Sequence, residues 1–89
     1  MTNFLTVPSK NFERDIRKLS AIDQKRVLEK IMLLENDPYH PSLRTKKLRN
    51  EPDNYESSVN MDIRIIWRLK NKTIIFLLDV GHHDILKRY

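Results

Sequence analysis

Two histidines stand side by side near the end of this 89-residue chain, in Val80-Gly81-His82-His83-Asp84, and an arginine lies upstream in Asp62-Ile63-Arg64. An imidazole titrates near neutral pH, so it can give or accept a proton under cellular conditions. A guanidinium is a fixed positive charge whose fork can bind two oxygens of one phosphate. Brought together, these groups predict a phosphate-handling site. Gly81 beside them can take backbone angles that other residues avoid. A metal centre is not expected, because neighbouring residues on a strand point to opposite faces and His82 and His83 would not share one ion.

The elements that must position these groups follow from pattern. Asn3 to Val7 reads as a short strand ended by Pro8, and Ser9 can cap a helix carrying Phe12, Ile16 and Leu19 on one face. Ser20-Ala21-Ile22-Asp23 resembles a capping box and starts a second helix. Its apolar stripe is Val27, Ile31 and Leu34, widened by Leu28 and Met32. Asn36-Asp37-Pro38 stops it. From Asp37 to Asn54 the chain has three prolines and no sustained period, so a loop with room for a short strand is expected. Its middle holds Arg44, Lys46, Lys47 and Arg49 without a negative charge.

The C-terminal part reads as a β-meander, with a strand from Tyr55 to Val59 first. Ile63, Ile65, Trp67 and Leu69 alternate with Asp62, Arg64, Ile66 and Arg68, the period of a half-buried strand. A two-residue turn at Asn71-Lys72 would pair Leu69 with Ile74, Trp67 with Phe76, Ile65 with Leu78 and Ile63 with Val80. That face is wholly apolar and predicts the core, with the helices over it. On the other face the same register sets Arg64 opposite Asp79. Asp62 and His83 join them if the strand direction persists past Gly81, with His82 turned away. The expected architecture is one α+β domain over residues 1–89, a helical hairpin packed on a twisted, mainly antiparallel sheet.

Composition narrows the function classes. The sequence has no cysteine, so disulfides and thiolate metal sites are excluded. Its longest apolar run, Ile74 to Leu78, is far shorter than a membrane span. The N-terminus lacks the layout of a signal peptide, and a cytoplasmic protein is expected. Seventeen basic against twelve acidic residues give a net charge of +5, which favours a polyanionic partner: RNA, DNA or an acidic protein.

The order strand, helical hairpin, basic loop, meander resembles the RelE/ParE superfamily of bacterial toxins from type II toxin–antitoxin modules. The residues that carry the resemblance are Asp37-Pro38 through Leu43 with Lys47-Leu48, then Asn60 through Trp67, then Val80 through Asp84. The resemblance implies a metal-independent endoribonuclease that cleaves ribosome-bound mRNA and is silenced by a cognate antitoxin. It implies no small-molecule cofactor and no membrane. Arg64 matches the strand arginine of RelE-like members, and Lys46 and Lys47 fall near the lysines of their basic loop. His83 and Asp62 match a histidine and an aspartate of YafQ-like members, whose further histidine is replaced here by Ser58 or a neighbour. Tyr89 is the candidate for the C-terminal tyrosine of RelE-like members.

Metal-free RNA cleavage needs a base for the ribose 2′-OH, an acid for the leaving 5′-oxygen, and cations for the charge on phosphorus oxygens. The resemblance assigns His83 as acid and Arg64 as phosphate clamp. Lys47 or Lys46 serves as second cation or base, and Asp62 orients His83 or acts as base. Arg44, Lys46, Lys47, Arg49, Arg68 and His82 form the expected RNA-binding surface. Trp67 and Phe76 are expected in the core rather than as base-stacking platforms. Two alternatives keep the fold: a ParE-like inhibitor of DNA gyrase, which needs no nuclease residues, and a non-catalytic RNA- or protein-binding module.

Overall fold

Ser9 and Ser20 each stand before a helix with a hydroxyl free to accept a backbone N–H, and both helices begin there. A computed structural model describes residues 3–49 and 51–89; position 50, inside the expected loop, lies outside the described residues. Helix α1 is Lys10–Ile16, capped by Ser9 Oγ accepting from Phe12 N at 3.0 Å. Helix α2 is Ala21–Asn36, capped by Ser20 Oγ accepting from Asp23 N at 3.1 Å. Its buried stripe is Val27, Ile31 and Leu34. Leu28 and Met32 do not widen it, being 55% and 69% exposed. Each lies one position past a core residue, about 100° further round the helix, which turns it off the sheet.

Among the described residues, five strands form one mixed sheet: β1 Leu5–Pro8, β2 Lys46–Lys47, β3 Asn54–Ser58, β4 Ile63–Lys70 and β5 Ile74–His82. Their spatial order is β1-β5-β4-β3-β2, with β1 parallel to β5 and the remaining pairs antiparallel. Pro8 is tolerated because β1 is an edge strand. The short strand anticipated in the basic loop is β2. A 3-10 turn, Pro41–Leu43, precedes it, and a 3-10 helix, His83–Arg88, follows β5. None of the helices among the described residues is long and apolar enough to cross a membrane.

The β4–β5 register differs from the one expected. Asn71 and Lys72 both have positive φ, 54° and 63°, and Thr73 N–H reaches Lys70 O at 3.3 Å. The ladder nevertheless starts one residue later than a two-residue loop requires, at Lys70↔Ile74, then Leu69↔Ile75, Arg68↔Phe76 and Trp67↔Leu77. This shift turns Ile75 and Leu77 into the core and leaves Phe76 and Leu78 only partly buried on the other face. Leu78 is then the extra residue of a β-bulge, so Ile66 pairs with Asp79, Ile65 with Val80, Arg64 with Gly81 and Ile63 with His82. Trp67 is fully buried, as expected, but opposite Leu77 and not Phe76. Arg64 does not face Asp79.

The core lies between the helices and one sheet face, with Phe12, Leu19, Val27, Ile31 and Leu34 meeting Ile63, Ile65, Trp67, Ile75, Leu77 and Val80. Tyr55 stacks on Trp67 with ring centroids 4.5 Å apart. Trp67 Nε1 donates to Ser57 Oγ at 2.8 Å, Ser57 Oγ meets Thr45 Oγ1 at 2.8 Å, and that hydroxyl donates to Pro38 O at 2.6 Å. This relay ties the loop after α2 to the sheet and satisfies polar groups that burial would otherwise penalise.

Candidate active site

The turn between β3 and β4 is held by one side chain. Asn60 Oδ1 accepts from the backbone N–H groups of Asp62 and Ile63 at 2.9 and 2.7 Å. This fixes the start of β4, one residue before Arg64. The Arg64 guanidinium folds back on that turn, Nη1 donating to Asn60 O at 2.7 Å and to Ile63 O at 3.2 Å. Its Nε lies 4.0 Å from Glu56 Oε1, and the two side chains are only 15% and 16% exposed. A cleft of about 200 Å³ opens beside Arg64, lined also by Arg44, Ser42 and Ser58. Two guanidinium groups at one small cleft make a site suited to an anion.

The strand register sorts the other candidates. Glu56 pairs with Ile66, Ser58 with Arg64, and Lys46 with Glu56, which sets Lys46, Glu56, Ser58 and Arg64 on one face of the sheet. Lys47 pairs with Tyr55, one position off, and so belongs to the opposite face at the sheet edge. Arg44 holds a left-handed backbone, φ 47°, at the end of the 3-10 turn, and Arg49 is exposed beyond β2. Arg68 shares the Arg64 face but lies four residues further along β4, with its guanidinium 4.0 Å from Asp53.

The histidines are arranged differently from the expectation. Strand β5 ends at His82 and the 3-10 helix begins at His83, so strand alternation does not continue past His82. Asp62 Oδ2 engages His82 Nδ1 at 2.5 Å, while His83 contributes its backbone N–H to Asp62 Oδ1 at 3.4 Å. Asp62 therefore orients the ring of His82, not that of His83. Its carboxyl is held below the usual range, first by the His82 ring and then by the His83 N–H. The His82 imidazolium is favoured in turn, its pKa raised chiefly by hydrogen bonding to Asp62. His83 is exposed, two residues beyond the partner of Arg64 in β5.

Gly81 does not use a positive φ. Its requirement is space, because a Cβ there would sit 2.6 Å from Ile85 Cγ2 in the 3-10 helix. Asp79 is 1% exposed and belongs to a second cluster, accepting from Val80 N, Arg88 Nη1 and Tyr89 Oη at 2.9, 3.1 and 3.4 Å. Tyr89 is thus tied to the sheet at Asp79. Sequence reasoning missed Glu56, the carboxylate nearest Arg64. The signal for it was the β3–β4 pairing, which sets Glu56 and Arg64 on one face. Among the described residues, no group of three or more His, Asp or Glu side chains is placed to hold a metal ion.

No protein-family model matches the sequence, and no curated protein matches it. Solved structures do. A chain of the toxin–antitoxin complex RelBE2 from Mycobacterium tuberculosis superposes with a TM-score of 0.79 at 22% identity, covering 93% of this chain and 94% of that one. YafQ from Escherichia coli gives 0.77 at 18% identity, with 93% and 97% covered. A chain of the archaeal RelE–RelB complex from Pyrococcus horikoshii gives 0.74 at 22% identity, with 92% and 96% covered. Each superposition covers more than nine-tenths of the chain, and the chain has the RelE/YafQ-like toxin fold.

Proposed function

We propose that this protein is the toxin of a toxin–antitoxin pair and a metal-independent endoribonuclease acting on ribosome-bound mRNA in the cytoplasm. The observation that carries the reading is the Arg64–Glu56 pair beside a small cleft shared with Arg44, with His83 exposed two residues beyond the β5 partner of Arg64. A guanidinium held by backbone carbonyls is preorganised, so it can meet phosphate oxygens without reorganising during the reaction.

In the proposed reaction, Glu56 takes the proton from the ribose 2′-OH. The 2′-oxygen attacks phosphorus, Arg64 and Lys46 neutralise the charge on the non-bridging oxygens, and His83 protonates the departing 5′-oxygen. A 2′,3′-cyclic phosphate and a 5′-hydroxyl end result, with no water or metal consumed. Asp62 acts through the backbone, fixing the segment that carries His83. Arg44, Lys47 and Arg49, with Arg68 and His82, supply a basic surface around the site. That surface and the net charge of +5 also suit an acidic antitoxin segment.

The test is single-turnover cleavage of mRNA positioned in the ribosomal A site. Arg64→Ala, His83→Ala and Glu56→Gln should each lower the rate by roughly a hundredfold or more, and chelators should not. Combining Arg64→Ala with His83→Ala should cost less than the product of their separate effects. Full activity in His83→Ala would overturn the assignment. Replication stopping before translation on induction would point to gyrase instead.

A further inference from the structure

A larger concavity than the cleft at Arg64 lies elsewhere on the molecule. It is an open groove of about 770 Å³ toward the β4–β5 turn, bordered by Asp53, Arg68, Lys70, Lys72, Phe76 and Leu78. Arg68 lies four residues from Arg64, so the groove begins about 13 Å along the strand from the candidate site, at ~3.3 Å per residue. Three cations face one carboxylate there, a local excess of positive charge. The Arg68–Asp53 contact, at 4.0 Å between exposed groups, is too weak to neutralise it.

The one-residue shift in the β4–β5 ladder gives this groove a second aromatic residue besides Tyr55. It removes Phe76 from the helix-covered core and sets it opposite Arg68, half-buried, with Lys70 Nζ 5.9 Å from the ring centroid. A phenyl ring flanked by cations on an open sheet matches the alternation of base and phosphate in a single strand. Base stacking is tolerant of sequence, since every base has a π-face, and the cations track the backbone. An acidic peptide would use the cations and leave the ring without a partner.

We propose that this groove is a second subsite for single-stranded RNA, in which a nucleotide flanking the one held at Arg64 stacks its base on Phe76 while Arg68 and Lys70 meet its phosphates. The inference rests on the nuclease reading for the direction of the strand, and deepens it by extending the substrate track beyond the cleaved bond.

The probe is a short fluorescein-labelled 2′-O-methyl oligoribonucleotide, which the protein cannot cleave, followed by anisotropy. Phe76→Leu keeps an apolar side chain and removes the π-face, and should weaken binding roughly five- to a hundredfold. Arg68→Gln with Lys70→Gln should also weaken it, with a loss that shrinks as salt rises. A duplex of the same sequence should be indifferent to Phe76→Leu, because its bases are not free to stack. Unchanged affinity of the single strand for Phe76→Leu, with the variant's melting curve intact, would overturn the proposal. So would absence of binding by the wild type, or an antitoxin peptide losing affinity where RNA does not. Cleavage on the ribosome, read with His83→Ala, reports separately on the nuclease reading: a subsite that fails while cleavage persists leaves that reading standing.

Discussion

Two aspartates meet cationic groups near the last turn of β5, and burial gives them opposite roles. Asp62 and His82 are each 59% exposed, and their contact joins the β3–β4 turn to the end of β5 at the surface. Asp79 is 1% exposed and Asp15, from α1, is 7% exposed. Their cations stay in water: Arg88 reaches Asp79 at 3.1 Å and Asp15 at 3.8 Å, while Arg14 and Lys18 reach Asp15 at 3.0 and 3.3 Å. The long stems cover the carboxylates and keep the charged heads solvated. Asp79 is pushed up above the ordinary carboxylate range by burial and by hydrogen bonding with Asp15, whose own carboxyl is held low, first by Arg14. One aspartate adjusts a surface imidazole; the other clasps α1, β5 and the C-terminus. The segment bearing His83 is fixed at both ends, by Asp62 at its start and by Asp79 through Arg88 and Tyr89 at its close.

The largest effect should come from opening the buried clasp. Asp79→Ala leaves the buried Val80 N–H, Arg88 and Tyr89 without their shared acceptor. The expected cost is about 2–3 kcal/mol, or roughly 10–20 °C in Tm for a chain of this size. Thermal unfolding followed by circular dichroism measures it, with Asp62→Ala as the exposed counterpart, which should scarcely move. Equal shifts in the two variants would erase the distinction drawn from burial.

Residues legible in the sequence are those whose partners are local. Ser9 and Ser20 cap helices within three positions of themselves, and Val27, Ile31 and Leu34 share one helix face. Strand β4 was readable because polar residues alternate with apolar ones along it. Strand β5 was not, because Ile74 to Leu78 is apolar at every position and offers no polar residue to mark the outer face. The same ambiguity concealed Phe76 as an open-face aromatic. Arg64 and His83 stood out by residue type and by their neighbours. Glu56 did not, since it depends on the β3–β4 pairing, and Asp79 reads from sequence as the partner of Arg64 because its cluster includes a helix more than sixty residues earlier in the chain.

An intermediate effect tests how firmly the C-terminal segment is seated between the two aspartates. Gly81→Ala would bring a methyl to 2.6 Å from Ile85 Cγ2, a branch too close to its own backbone to swing aside freely. Overpacking of this kind costs about 1–3 kcal/mol. It should also lower cleavage several-fold, because the displaced helix begins at His83. Adding Ile85→Ala removes the clashing methyl, so Gly81→Ala should cost less in that background than alone, a coupling read from a double-mutant cycle. Additive losses would mean that the strain is absorbed elsewhere.

The smallest effect belongs to the exposed pair and concerns titration more than stability. His82 has its pKa raised in the folded protein by Asp62, so its contribution to stability is fully present below the unfolded value near 6.5 and is lost as pH rises through the folded value. Asp62→Asn should bring the His82 midpoint down toward about 6.5, as followed by imidazole proton shifts. The difference between the two proteins should narrow as salt is added, because both groups face water. Any difference in Tm should fade as pH rises through the raised His82 value of the unsubstituted protein. Cleavage should fall only a few-fold, because Asp62 reaches His83 through a backbone N–H at 3.4 Å and not through the imidazole. A loss in Asp62→Asn as large as that in His83→Ala would move Asp62 from positioning into proton transfer. It would also place the reactive carboxylate at the exposed end of the sheet, in place of the half-buried Glu56 beside Arg64.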